Sequence, residues 1–154
     1  MTKTLLIVAH APSAHTQQLV DAIQRGANHP DMTEIEVLYR PALQATPADV
    51  MACDAIILFT PENLAYMSGA LKDFFDRCYY PVLEQKQGLA CAIVIRAGHD
   101  GTGTKRALES ILTGLRWRQV HELLLLRGQW QDAFLAQAEE LGLYMAAGLD
   151  AGIW

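Results

Sequence analysis

No apolar run in this chain approaches the length of a membrane span. A basic patch for nucleic acid or an anionic membrane is missing too. Lysine and arginine number 12 against 17 aspartates and glutamates, a formal net charge of -5, so polyanionic partners are not expected. Cysteine is scarce, with Cys53, Cys78 and Cys91 an odd count at wide spacing. Neither a disulfide framework nor a zinc site is built that way. All three lie among apolar residues, as small buried hydrophobes do in a reducing compartment. Charged residues make up only 19% and hydrophobic ones 51% of 154 residues. That excludes a disordered chain and predicts a single domain over 1–154. The opening MTKTLLIVAHAPS holds one lysine and one short apolar run. This is too short for a signal peptide and suits a first strand, so a cytoplasmic protein is expected.

What the chain does have is alternation. Five apolar runs stand out: TLLIVA (4–9), EIEVLY (34–39), AIILF (55–59), LACAIVIRA (89–97) and VHELLLL (120–126). The first, third and fourth are almost continuously apolar, which suits strands buried on both faces of a parallel sheet. The second alternates, as an edge strand does, and the fifth begins polar. Between them, helical spacing covers 15–27, 68–83, 104–117 and 132–149, with a short helix at 47–52 capped by Thr46 and opened by Pro47. Strand and helix therefore alternate throughout. The expected fold is an α/β three-layer sandwich with a five-stranded parallel sheet in the order 2-1-3-4-5.

In such a sheet, ligands bind beyond the carboxyl ends of the strands, where the strand order reverses. Three loops lie there: HAPSAHT (10–16), TPENLAYMS (60–68) and GHDGTGT (98–104). The first leads straight into a helix whose first-turn N–H groups and dipole favour an anion. Ser13, Thr16 and His15 add donors, so the loop reads as a cradle for one phosphate monoester. Ser13 or Thr16 serving only as a helix cap is the competing reading. The third loop is a near miss to a P-loop: Gly98-x4-Gly103-Thr104-Lys105 places the lysine one position late, about 100° round the helix. Nucleoside triphosphate binding is therefore rejected, and the glycines instead let backbone approach a flat ligand. In the second loop, Pro61 stiffens the turn, Asn63 and the backbone N–H groups of 63–65 suit a heteroaromatic edge, and Tyr66 and Met67 offer apolar cover. A phosphate at one loop and a flat ring between the other two together describe flavin mononucleotide (FMN).

At these residues the chain resembles the NADPH-dependent FMN reductases and the related flavodoxin-like NAD(P)H:quinone oxidoreductases. Their second loop typically reads T-P-E-Y-N-G-S-x-P-G-A-L-K-N. Thr60-Pro61-Glu62 and Gly69-Ala70-Leu71-Lys72 match at identical spacing, while Asn63, Leu64 and Ala65 replace the Tyr, Asn and Gly. The stretch MSGALKDFFDR is also similar to the M-x-G-x-L-K-x-F-x-D-R of flavodoxin-fold quinone reductases, and Ser13 and Thr16 retain part of the family's phosphate loop. The resemblance implies a flavodoxin-like fold and an FMN cofactor reduced by NADPH or NADH. It implies two-electron transfer to a small acceptor, a quinone or a flavin, and a homodimer or higher homo-oligomer. Carried over, the cofactor would be held by His10, Ser13, Ala14, His15 and Thr16 at the phosphate. Thr60, Pro61, Glu62, Asn63, Leu64 and Ala65, with Gly98, His99, Asp100 and Gly101, would hold the ring. Tyr66 and His99 would line the acceptor pocket, and no side chain would itself be catalytic, because the flavin carries the chemistry.

An electron carrier of the flavodoxin type is the alternative, although such proteins tend to carry strongly acidic docking loops. A metal site from His10, His15, His99, Asp100 and Glu62 matches no local metal motif. A phosphatase lacks its loop cysteine, and a response regulator lacks an aspartate where strand 3 ends in Phe59-Thr60. Lys105 and Glu109 read as a solvated helix face. Trp130 and Trp154 are left open between packing and dimer contact.

Overall fold

The computed structural model describes residues 2–154. In chain order the elements are β1 (Lys3–Ala9), α1 (Ala14–Ala27), β2 (Ile35–Pro41), α2 (Pro47–Ala52), β3 (Ala55–Asn63), β4 (Tyr66–Met67), α3 (Gly69–Val82), β5 (Ala90–Ala97), α4 (Thr102–Leu115), β6 (Arg118–Gln119), β7 (Leu124–Arg127) and α5 (Ala133–Asp150). The sheet runs β2-β1-β3-β5, and both β6 and β7 pair with β5 at the far edge. All these pairings are parallel. This is the flavodoxin-like order expected above, with one correction: the sheet is 7-stranded rather than five-stranded. Two causes account for the difference. The polar start of the fifth run breaks it, so Arg118–Gln119 pairs low on β5 and Leu124–Arg127 pairs high, with 120–123 bridging the gap. The stretch after Phe59 is also not a loop: β3 continues to Asn63 and turns back as β4.

Alternate residues of the central strands feed two cores. Leu5, Ile7, Ile57, Phe59 and Val94 face α1 and α5. Leu6, Val8, Ile56, Leu58, Cys91, Ile93 and Ile95 face α3 and α4. Every one of these residues is 0% exposed, as a parallel sheet covered on both faces requires. The cysteines are core residues: burial pushes the Cys53 and Cys91 thiols up to about 12 and that of Cys78 to about 11, which keeps them protonated and unreactive.

The α1–α5 layer is drawn together by glycine. A Cβ on Gly142 would fall inside the radius of the Ile23 carbonyl oxygen and lie 3.1 Å from the Ala27 nitrogen. A Cβ on Gly26 would collide with the Glu139 carbonyl and lie 2.8 Å from the Leu143 nitrogen. The two backbones therefore touch, which sets the start of α1 beside the segment that leads into α5.

Candidate functional site

The first loop is built by its helix cap. Ser13 is the N-cap of α1: its hydroxyl accepts from the Thr16 N–H at 3.1 Å, and the Thr16 hydroxyl accepts from the Ser13 N–H at 2.9 Å. The two hydroxyls are 2.8 Å apart, and Thr16 is buried. Both side chains thus complete a capping box, and what the loop turns outward is something else. Among the described residues, the N–H groups of Ala14 and His15 have no protein partner. These, with the exposed His15 imidazole, are its free donors. His10 begins the loop, held to β3 by its N–H donating to the Phe59 carbonyl at 3.2 Å. Burial lowers the His10 pKa, which favours the neutral imidazole. A cavity of ≈ 340 Å³ adjoins it, lined by His10, Pro12, Tyr39, Leu43, Gln44 and Ala70 among others, with no formally charged side chain in the lining.

The second segment is a tight hairpin. Glu62 pairs with Met67 and Asn63 with Tyr66. That leaves Leu64 (φ 52°) and Ala65 (φ 61°) as the two turn residues. A two-residue hairpin turn of the I′ kind needs positive φ at both central positions, which is why Asn-Gly is its usual sequence. Leu-Ala carries no such signal, so the hairpin is not legible beforehand, and the left-handed conformation strains both residues. Leu64 is also 101% exposed, so no packing compensates. The turn is held from its base: the buried Thr60 hydroxyl accepts from the Ser68 N–H at 2.9 Å and donates to the Pro61 carbonyl at 2.7 Å. Thr60 and Pro61 are therefore internal to the hairpin, whereas Asn63, Leu64, Ala65 and Tyr66 are exposed. Restoring the family's residues, Leu64→Asn with Ala65→Gly, is expected to stabilise the protein by about 1–2 kcal/mol. Thermal melting reads this as a rise in Tm of about 2–8 °C.

The third segment is fastened to the second. The Glu62 carboxylate accepts from the Gly101 N–H at 2.6 Å and from the His99 N–H at 3.4 Å. Gly101, the N-cap of α4 at φ 75°, has no side-chain cap of its own, so Glu62 supplies the carboxylate at that helix start from a neighbouring strand. The Ala65 carbonyl lies directly over Gly103, where a Cβ would collide with it. Gly98, His99 and Asp100 are exposed beside this junction. Arg127 donates to the Asp100 carbonyl at 2.8 Å, and the Thr102 hydroxyl is bonded to the Asp100 carboxylate. The Thr104 hydroxyl, two residues further into α4, is buried with no partner among the described residues. Hairpin and third loop therefore form one continuous wall.

A fourth segment, not expected from the sequence to belong here, completes the rim. Trp130, after β7, lies flat on His15 with ring centroids 3.9 Å apart and planes within 6°. The Arg96 guanidinium lies 5.9 Å from the Trp130 ring and 5.1 Å from that of Phe134. It donates to the carbonyls of Ala97, Leu126 and Gly128 at 2.7, 3.1 and 2.7 Å. The available signal was position: 128–132 follows the carboxyl end of a strand as the other three loops do. No group of three or more His, Cys, Asp or Glu able to hold a metal occurs among the described residues.

The domain is flavodoxin-like, and these segments gather at the rim where sheets of this order bind their ligands. Residues 16–132 match the family described as NADPH-dependent FMN reductase, and the chain belongs to that family. The match takes in the hairpin, the third loop and Trp130. A relative named flavodoxin from Aquifex aeolicus (strain VF5) is 28% identical over 112 residues, 72% of this chain. The aligned part spans 59% of that relative's length. Among solved structures, a flavodoxin from the domain Archaea aligns with 95% of this chain and 98% of its own at TM-score 0.78 and 16% identity. A flavodoxin, WrbA-like protein from Agrobacterium tumefaciens aligns over 98% and 99% at TM-score 0.74 and 16% identity. At such identities the likeness establishes the fold.

Proposed function

We propose that the protein is an NAD(P)H-dependent oxidoreductase that works through bound FMN, with a quinone or a flavin as acceptor. The observation that carries the reading is the rim itself. Free first-turn donors of α1 stand at one side, and a fused hairpin–loop wall rich in exposed backbone stands at the other. This donor set fits FMN. Ala14 N–H, His15 N–H and the His15 imidazole suit a phosphate monoester. Exposed backbone at 63–65 and 98–100 suits the polar edge of the ring, and Tyr66 and His99 suit the acceptor side. When bound, FMN supplies the hydride and electron chemistry.

The chain's own contribution is placement and field. The α1 N-terminus holds the phosphate through its unpaired N–H groups and dipole. The Glu62 bonds to Gly101 and His99 fasten the hairpin to the third loop, so the wall facing the ring stays in one piece. Within that wall the Glu62 carboxylate already accepts from two N–H groups, so its charge is locally compensated.

The test is oxidation of NADPH and NADH by the purified FMN-loaded protein, with a quinone and with free flavin as acceptors. Steady turnover with either nucleotide is expected. The second reading, an electron carrier, is favoured by the relative named flavodoxin. It predicts FMN retention without nucleotide oxidation, and that outcome would replace the enzyme reading.

A further inference from the structure

The loop-1 hydroxyls are committed to the capping box. If the flavin reading holds, on which this inference rests, His15 is therefore the exposed side-chain donor of that loop left to address the phosphate, His10 being half-buried at the loop's start. It sits at the second helical position of α1, exposed, with no hydrogen bond to its ring among the described residues. An exposed imidazole there would ordinarily sample several rotamers. Here it does not stand alone: its face lies on Trp130, 3.9 Å centroid to centroid and 6° from parallel. Stacking uses the ring face and leaves the ring edge, which carries both nitrogens, free to bond.

Trp130 is itself anchored from several sides. Its indole N–H donates to Asp132, the N-cap residue of α5, at 3.2 Å. Phe134 meets it edge-on at 5.7 Å, and Arg96 lies 5.9 Å away with its guanidinium tied to three carbonyls. The anchoring chain therefore runs from the sheet through Arg96 and Trp130 to His15. It is kept in register by the glycine-mediated contact of α1 with α5.

We propose that Trp130 is a positioning residue of the phosphate subsite: it holds the His15 imidazole edge beside the free N–H groups at the start of α1. It thereby favours the phosphorylated flavin over its unphosphorylated counterpart. The effect is confined to the phosphate end, since Trp130 is not part of the hairpin–loop wall.

Affinities for FMN and for riboflavin, which lacks only the phosphate, separate the two ends of the site. Wild type is expected to prefer FMN. Trp130→Ala is expected to reduce that preference by about three- to tenfold, the range of an aromatic pair, with riboflavin affinity unchanged. Trp130→Phe, which keeps a stacking face, restores most of it. In a His15→Ala background, Trp130→Ala changes the preference no further. NMR of the flavin-free protein gives an independent reading: the His15 ring protons are shifted by the indole ring current, and the shift is lost in Trp130→Ala. Absence of that shift in wild type overturns the stack while leaving the flavin reading intact. Equal loss of both flavins in Trp130→Ala, or an unaltered preference, overturns the positioning role. Binding of neither flavin by wild type overturns the flavin reading and this one with it.

Discussion

Gly142→Ala is expected to destabilise the protein by about 3 kcal/mol or more, at the upper end of overpacking costs. In a domain of this size that is a fall in Tm of about 6–12 °C. The reason is what the added methyl would meet. A side chain can rotate away from an intruding methyl, but here the obstacle is main chain: the Ile23 carbonyl and, at 3.1 Å, the Ala27 nitrogen. Relief requires α5 to move off α1, and that separation opens the core holding Leu19, Ile23, Leu141 and Met145, all at most 1% exposed. Helix propensity acts in the opposite direction, favouring alanine by about 1 kcal/mol, so the sign of the result discriminates. Gly69→Ala is the control: a Cβ there meets nothing within 4 Å, and Tm should move by no more than about 0.5 kcal/mol would produce. A neutral or stabilising Gly142→Ala would mean that the two helices do not touch.

Gly103→Ala is expected to do the reverse: leave stability nearly unchanged and weaken flavin binding by about tenfold or more, equivalent to about 1.4 kcal/mol. Gly103 lies in the first turn of α4, exposed, under the Ala65 carbonyl. The new methyl lifts the hairpin tip from the helix. It thereby widens the gap that the Glu62 bonds to Gly101 and His99 hold at 2.6 and 3.4 Å. The helix gains from alanine what the hairpin contact loses, so melting changes little. Because the displaced wall serves the ring, FMN and riboflavin should weaken together, unlike the phosphate-selective effect expected at Trp130. Titration of both flavins by fluorescence quenching gives the answer. Unaltered affinity would separate the hairpin from the ring site.

The layers of this fold are legible because burial on both faces leaves a plain mark: three nearly continuous apolar runs and one alternating one. With right-handed crossovers these allow few sheets. The same reasoning fails where geometry opposes local propensity. Leu64 and Ala65 form a left-handed turn against their preference, so a hairpin reads as a loop. The fifth run breaks at its polar residues because two short edge strands satisfy β5 as one longer strand would. At the site, Ser13 and Thr16 are visible as a cap or a cradle, and only the folded structure shows that they bond to each other. Trp130 is invisible to spacing arguments altogether: it lies 115 positions from His15 in the chain, and only the touching backbones of α1 and α5 bring the two rings together.

The proposed grip of four strand-end segments on FMN at one rim is open to direct test. Its most direct measurement is titration of the flavin-free protein with FMN, followed by gel filtration of the saturated complex. One flavin per chain is expected, quenched in fluorescence and eluting with the protein. Unquenched flavin that separates completely from a folded protein would contradict it.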